Sequence, residues 1–172
     1  MIDWESEISR MELVKREVAA ADQAHLWRVE PPRDPATPQA LREMERVVGR
    51  PLDPEYLSFL LHADGWPAFL QDIDLFGSND IGSEVLSQAR EVIQFLDPGV
   101  LASSGMNPDT ALPIGLSRTD IDIFVMLESD ANGVVPILWI AGLVVERYEG
   151  FQAFFEAMIS ENAGEAEAMR DG

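Results

Sequence analysis

Two carboxylate pairs and two histidines are the side chains of this sequence whose types and spacing could do chemistry. Asp72/Asp74 and Asp120/Asp122 are each two residues apart, so in an extended segment both members of a pair share one face. Paired carboxylates can act as general acid and base or hold magnesium. The solvated face of a half-buried strand carries the same pattern. His25 and His62 are the only histidines and fall in different predicted helices. Without cysteine, a zinc site would have to recruit carboxylates at no recognisable spacing. Asp130-Ala131-Asn132-Gly133 opens like a calcium loop but continues into Val and Pro, without the glycine such a loop needs at its sixth position. Asn132-Gly133 is expected to make a hairpin turn instead, because it accepts the positive φ such turns require. Ser103-Ser104-Gly105 has no histidine or lysine near it. Nucleophile-elbow, phosphate-loop and dinucleotide signatures are missing. These residues point to no enzyme, cofactor or metal ion.

What remains is a binding surface. Trp66, Phe69 and Trp139 are large aromatics close to turns, and Asp64, Asp72 and Asp74 flank the first two. Aromatic anchors within a charged rim are what tight protein interfaces use. The expected partner-binding set is therefore Trp66, Phe69, Asp72, Asp74, Asp80, Asp120 and Asp122, with core packing as the competing role for the tryptophans.

Charge supports a protein partner. Asp and Glu number 31 against 12 Lys and Arg, a net charge of −19. Such a field repels phosphate backbones, which disfavours direct nucleic-acid binding, and it attracts basic proteins. Acidity also simply keeps proteins soluble. The 172 residues suit one domain with its own core. The absence of cysteine suits a reducing compartment. The first residues lack the basic start and apolar run of a signal peptide, and no stretch approaches the roughly 20 apolar residues of a membrane span. A soluble cytoplasmic protein, monomer or homodimer, is the expectation.

The elements that must position these side chains follow from periodicity. Residues 3–28 read as one long helix with a narrow stripe of Trp4, Ile8, Met11, Val14 and Val18, then a proline-rich strap to residue 36. Thr37 as N-cap, Pro38 at the first helical position and Gly49 beyond the end frame a second helix, with Leu41, Met44, Val47 and Val48 inward. Asp53-Pro54 starts a third helix, which buries Tyr56, Leu57, Phe59, Leu60 and Leu61 and stops at Asp64-Gly65. Trp66-Pro67 is a rigid exit, and Ile73 and Leu75 mark a strand. A helix over about 83–95 is ended by Asp97-Pro98-Gly99, and an irregular loop follows. Four short β-branched runs from Leu112 to Glu149 predict an antiparallel meander, with Ile121, Ile123, Val125 and Leu127 on a core face and Pro136 at a bulge or edge. Phe151, Phe154, Phe155, Met158 and Ile159 line a last helix, and the acidic tail 161–172 is expected to fray. The predicted class is α+β, an antiparallel sheet of about four to six strands covered by helices.

One constellation resembles a known family. Glu45, Val48-Gly49, Leu52, the Pro-initiated helix with Tyr56 and Phe59-Leu60, and Asp64-Gly65-Trp66 follow one another as in the head of the SMI1/KNR4 family, the SUKH superfamily. Asp53 stands where that family usually has proline, with the proline moved to Pro54; either arrangement starts a helix. Pro113-Ile114, Asp122-Ile123-Phe124, Gly133-Val134-Val135 and Phe151 extend the resemblance over about 37–160, leaving residues 1–36 as an added helix and strap. The resemblance implies a non-enzymatic binding domain. Bacterial members commonly act as immunity proteins that occlude a cognate toxin, often a basic nuclease or deaminase, and other members are intracellular scaffolds or regulators.

Overall fold

The computed structural model describes Met1–Gly172. Its elements run α1 (Trp4–Ala21), α2 (Pro38–Val48), α3 (Pro54–Leu60), β1 (Trp66–Leu70), β2 (Ile73–Leu75), α4 (Glu84–Gln94), α5 (Pro98–Ser104), β3 (Leu112–Ser117), β4 (Ile123–Met126), β5 (Ile137–Ala141), β6 (Leu143–Tyr148) and α6 (Phe151–Asp171). The six strands form one sheet in chain order, every neighbouring pair antiparallel. This is an α+β fold. No helix is long and apolar enough to cross a membrane.

Side-chain capping explains the helix starts. Thr37 accepts from the Ala40 N–H and Asp53 from the Tyr56 N–H, each just before a proline whose missing donor costs nothing there. Gly150 gives α6 no cap of its own. Glu55 of α3 supplies one by accepting from the Gln152 N–H at 2.9 Å, which ties the two helices together.

β4 buries all four of its residues, and because side chains alternate, both sheet faces must be covered. Phe124 meets Phe154 of α6 edge-on at 4.9 Å between ring centres. On the N-terminal side, Trp4 lies within 5.7 Å of Phe59, Phe151 and Phe155, so α1 and α6 share one aromatic cluster with α3. Gly115 of β3 permits the close approach opposite β4, since a Cβ there would lie 2.6 Å from the Phe124 ring.

Several expectations need correction. α1 ends at Ala21 rather than near Arg28, because the Asp22 carboxylate takes the Leu26 and Trp27 N–H groups, both at 2.9 Å, and folds the chain back. Trp66-Pro67 is no simple exit but opens β1, which turns into β2 through Gln71 at φ +52°. Asp97-Pro98-Gly99 begins a helix as well as following one: Asp97 accepts from the Gly99 N–H, and α5 takes the first part of the expected loop, which stays irregular from Gly105 to Ala111. The tail does not fray. α6 continues to Asp171, with Asn162 and Ala166 buried against α1. Val47, Leu61 and Ile121, expected in the core, are exposed.

Candidate functional site

The Asp-Gly-Trp segment is a structural knot. The Asp64 carboxylate accepts from the Ser78 N–H and Ser78 Oγ, both at 2.6 Å. Gly65, at φ +87°, lies so close to the chain leaving β2 that a Cβ would sit 2.6 Å from the Gly77 nitrogen. Trp66 donates from Nε1 to the Glu30 carbonyl at 2.9 Å, and the Arg33 N–H donates to the Gly65 carbonyl. The proline-rich strap is thereby pinned across the end of α3. Tyr56, fully buried, donates its hydroxyl to the Phe76 carbonyl at 2.6 Å, and burial pushes that phenol well above its ordinary range. Glu45, the first residue of the head pattern, accepts from the Leu52 N–H.

The expected binding residues lie largely inside this framework. Trp66 is 1% exposed and Phe69 0%, so neither can serve as a surface anchor. Both point into the core because α6 and the strap cover β1. Asp74 accepts from the Ala68 N–H, Arg28 and Arg118, and it holds Ala68 at φ +51°. Asp80 accepts from Arg33 and the Gly77 N–H. Asp72 accepts from Ser117 Oγ, the Thr119 N–H and the Thr119 hydroxyl. Partial burial raises the Asp72 pKa, but the Thr119 and Ser117 hydrogen bonds outweigh it and hold the carboxyl below the usual range. Asp122 accepts from Trp139 Nε1 at 2.8 Å. Asp120 alone of the set is exposed and bonded only to its own loop.

The Asp72/Asp74 pair therefore braces the fold. Asp72→Asn/Asp74→Asn is expected to lower stability by about 1–2 kcal/mol in urea unfolding, since its partners are partly exposed charges and hydroxyls. An unchanged unfolding midpoint would show these carboxylates to be free of structural duty.

No three His, Asp or Glu side chains converge as a metal site would require. Asp130 makes the expected hairpin turn. Its carboxylate takes the Asn132 and Val134 N–H groups, and Gly133 adopts φ +78°. His62 is exposed, its ring 2.9 Å from the Ser58 carbonyl.

A different surface collects exposed apolar groups. Where α4 ends, a groove of about 290 Å³ runs between Val92, Phe95 and Leu96 on one side and Ile121 and Gly142 on the other, with Glu91 and Asp97 on its rim. Phe95 is 87% exposed and Ile121 53%. Asp120 adjoins Ile121 in the chain, and Leu143, 69% exposed, follows Gly142 at the start of β6. Gly142 sits at φ +74°, and a Cβ on it would meet Ile121 at 3.3 Å, so this turn keeps the groove open. Burial of one such ring at an interface is worth about 1.5–3 kcal/mol. The sequence held a signal for this face: Phe95 lies off the inward stripe of its helix, and Leu143-Val144-Val145 breaks strand alternation.

Neither a scan against protein-family models nor a search of curated proteins finds a match for this chain.

Proposed function

We propose that this chain is a non-enzymatic protein-binding domain of SMI1/KNR4 type that acts as an immunity protein, occluding a basic bacterial toxin such as a nuclease or deaminase. The observation that carries the reading is the Phe95–Ile121 groove, an exposed aromatic and aliphatic pair rimmed by Glu91 and Asp97, with Asp120 next to Ile121 in the chain, on a protein of net charge −19. The apolar pair supplies area to bury. The surrounding carboxylates attract and orient a cationic surface, which raises the association rate more than the affinity. An acidic protein seated in a basic groove also displaces the phosphates that such a groove would otherwise hold.

The test is capture of the products of neighbouring genes on the purified chain at low and high salt. A basic, toxic protein retained at low salt and silenced at one-to-one mixing is the expected result. If no neighbouring product is retained, or a retained toxin keeps its activity at saturation, the immunity reading fails.

A further inference from the structure

The two edges of the sheet are treated differently. β1, the first edge, is closed from outside: Lys15 of α1 donates to the Ala68 carbonyl at 2.5 Å and to the Phe69 carbonyl at 3.5 Å, and Asn162 of α6 donates to the Phe69 carbonyl at 3.1 Å. Side chains from two helices thus occupy the outward acceptors of that strand, and α6 lies against it. β6, the other edge, is approached by α5 and α6, but no helix side chain bonds to its outward backbone as Lys15 and Asn162 do to β1. Its only strand partner is β5, and none of the backbone hydrogen bonds outside the helices and strands involves Leu143–Tyr148. The Arg147 N–H is met by the carboxylate of its neighbour Glu146 at 2.9 Å, where a neighbouring strand would offer a carbonyl. Residues 143 to 147 are all exposed, and Leu143, Val144 and Val145 present apolar side chains. Edges of this kind attract strands, and soluble proteins ordinarily blunt them.

We infer that the open edge of β6 and the Phe95–Ile121 groove at its start form one docking site for an extended basic segment of a partner protein. The segment adds to the sheet as a seventh strand. Its backbone pairs with β6, and one apolar side chain sits between Phe95 and Ile121. Strand addition gives affinity through the ladder and specificity through the pocket. Charge selects the occupant. Glu91, Asp97, Asp120, Glu146 and Glu149 lie on or beside this surface, and Arg147 is matched by Glu149 at 2.7 Å. A second copy would bring another −19 to the same place, whereas a lysine- or arginine-rich strand meets complementary charge. The inference rests on the reading of the chain as a binder of basic proteins and places that contact.

The test titrates the isotopically labelled full chain with the peptide Lys-Leu-Lys-Val-Lys-Val-Lys, followed by amide NMR. A second peptide of the same sequence, N-methylated at alternate residues, cannot complete a ladder. The expected result is shift changes confined to 142–149 and to the surroundings of Phe95 and Ile121. Binding should weaken by about tenfold or more for the methylated peptide, and several-fold in Phe95→Ala. Shifts scattered over the acidic helices, or equal binding of both peptides, would overturn the proposal. A captured toxin held equally by wild type and Phe95→Ala would overturn this placement and leave the immunity reading standing. Localised peptide docking with no toxin captured would do the reverse.

Discussion

Gly77→Ala is expected to destabilise the protein by at least about 4 kcal/mol, a large share of the roughly 5–15 kcal/mol that holds a domain of this kind folded. A methyl at that position would lie 2.1 Å from the Asp64 carbonyl oxygen, 2.5 Å from its carbon and 2.6 Å from the Asp64 carboxylate. These are backbone and capping atoms, and they cannot swing aside like the end of a long side chain. Asp64 is held by Ser78, while its own N–H donates to the Asp34 carbonyl, so a shift here also pulls on the strap. Gly164 provides the opposite case. It lies within α6, exposed, and a methyl added there would have nothing within 4 Å of it, so Gly164→Ala should add up to about 1 kcal/mol through helix propensity. Urea unfolding of both variants checks the pair. A Gly77→Ala protein within 1 kcal/mol or so of wild type would mean that the Asp64 turn is loose rather than knotted.

Stability is expected to rise by about 2 kcal/mol between pH 7 and 9.5, against the usual decline in alkali. The cause is Lys15, buried between α1, α6 and β1. Burial outweighs the attraction of Glu165, with Arg28 opposing the charge as well, and the ammonium is brought down from 10.5 to about 8. In the unfolded chain it titrates near its ordinary value, so over this window the unfolded state binds more protons and folding gains as pH rises. The penalty for the buried charge is full below pH 8 and relieved between 8 and 10.5. Tyrosines act in the opposite sense: burial pushes Tyr148 up to about 12 and Tyr56 upward too, so the rise is read below pH 10, before the unfolded phenols ionise. Lys15→Met should remove the slope. A wild-type profile that is flat or falling from about pH 7 to 9.5 would contradict this account.

Local chemistry was legible where one residue settles it. Thr37, Asp53 and Asp130 do in the structure what their positions beside Pro38, Pro54 and Asn132-Gly133 imply. The meander was legible because its runs are short, β-branched and separated by turn residues. Two failures were local, at Asp22, which ends α1 early, and at Asp97; the others depended on distant partners. The tail from 161 onward shows no apolar stripe, since its inward face is Asn162 and Ala166, and only Lys15 and Met11 of α1 reveal why Asn162 is buried. Asp97 stops one helix and caps the next, two roles that look alike in sequence. Trp66 and the acids beside it carry an interface's composition but face inward, because the strap from Glu30 to Ala36 closes over them through contacts between residues far apart in the chain. The exposed groove needs the β5–β6 turn to bring Gly142 opposite Ile121, which no spacing rule foretells.

One comparison decides whether binding lies at the Phe95–β6 face while the acidic knot beside the Asp-Gly-Trp segment holds the fold together. The most direct measurement compares two variants by titration calorimetry against the basic protein captured at low salt, with urea unfolding of each alongside. Phe95→Ala should lose roughly tenfold or more in affinity, as an interface anchor does, and keep its stability. Asp72→Asn/Asp74→Asn should bind as wild type and unfold more easily. The reverse pattern, affinity lost with the carboxylates and untouched at Phe95, would contradict the account and return the interface to the residues around Asp72.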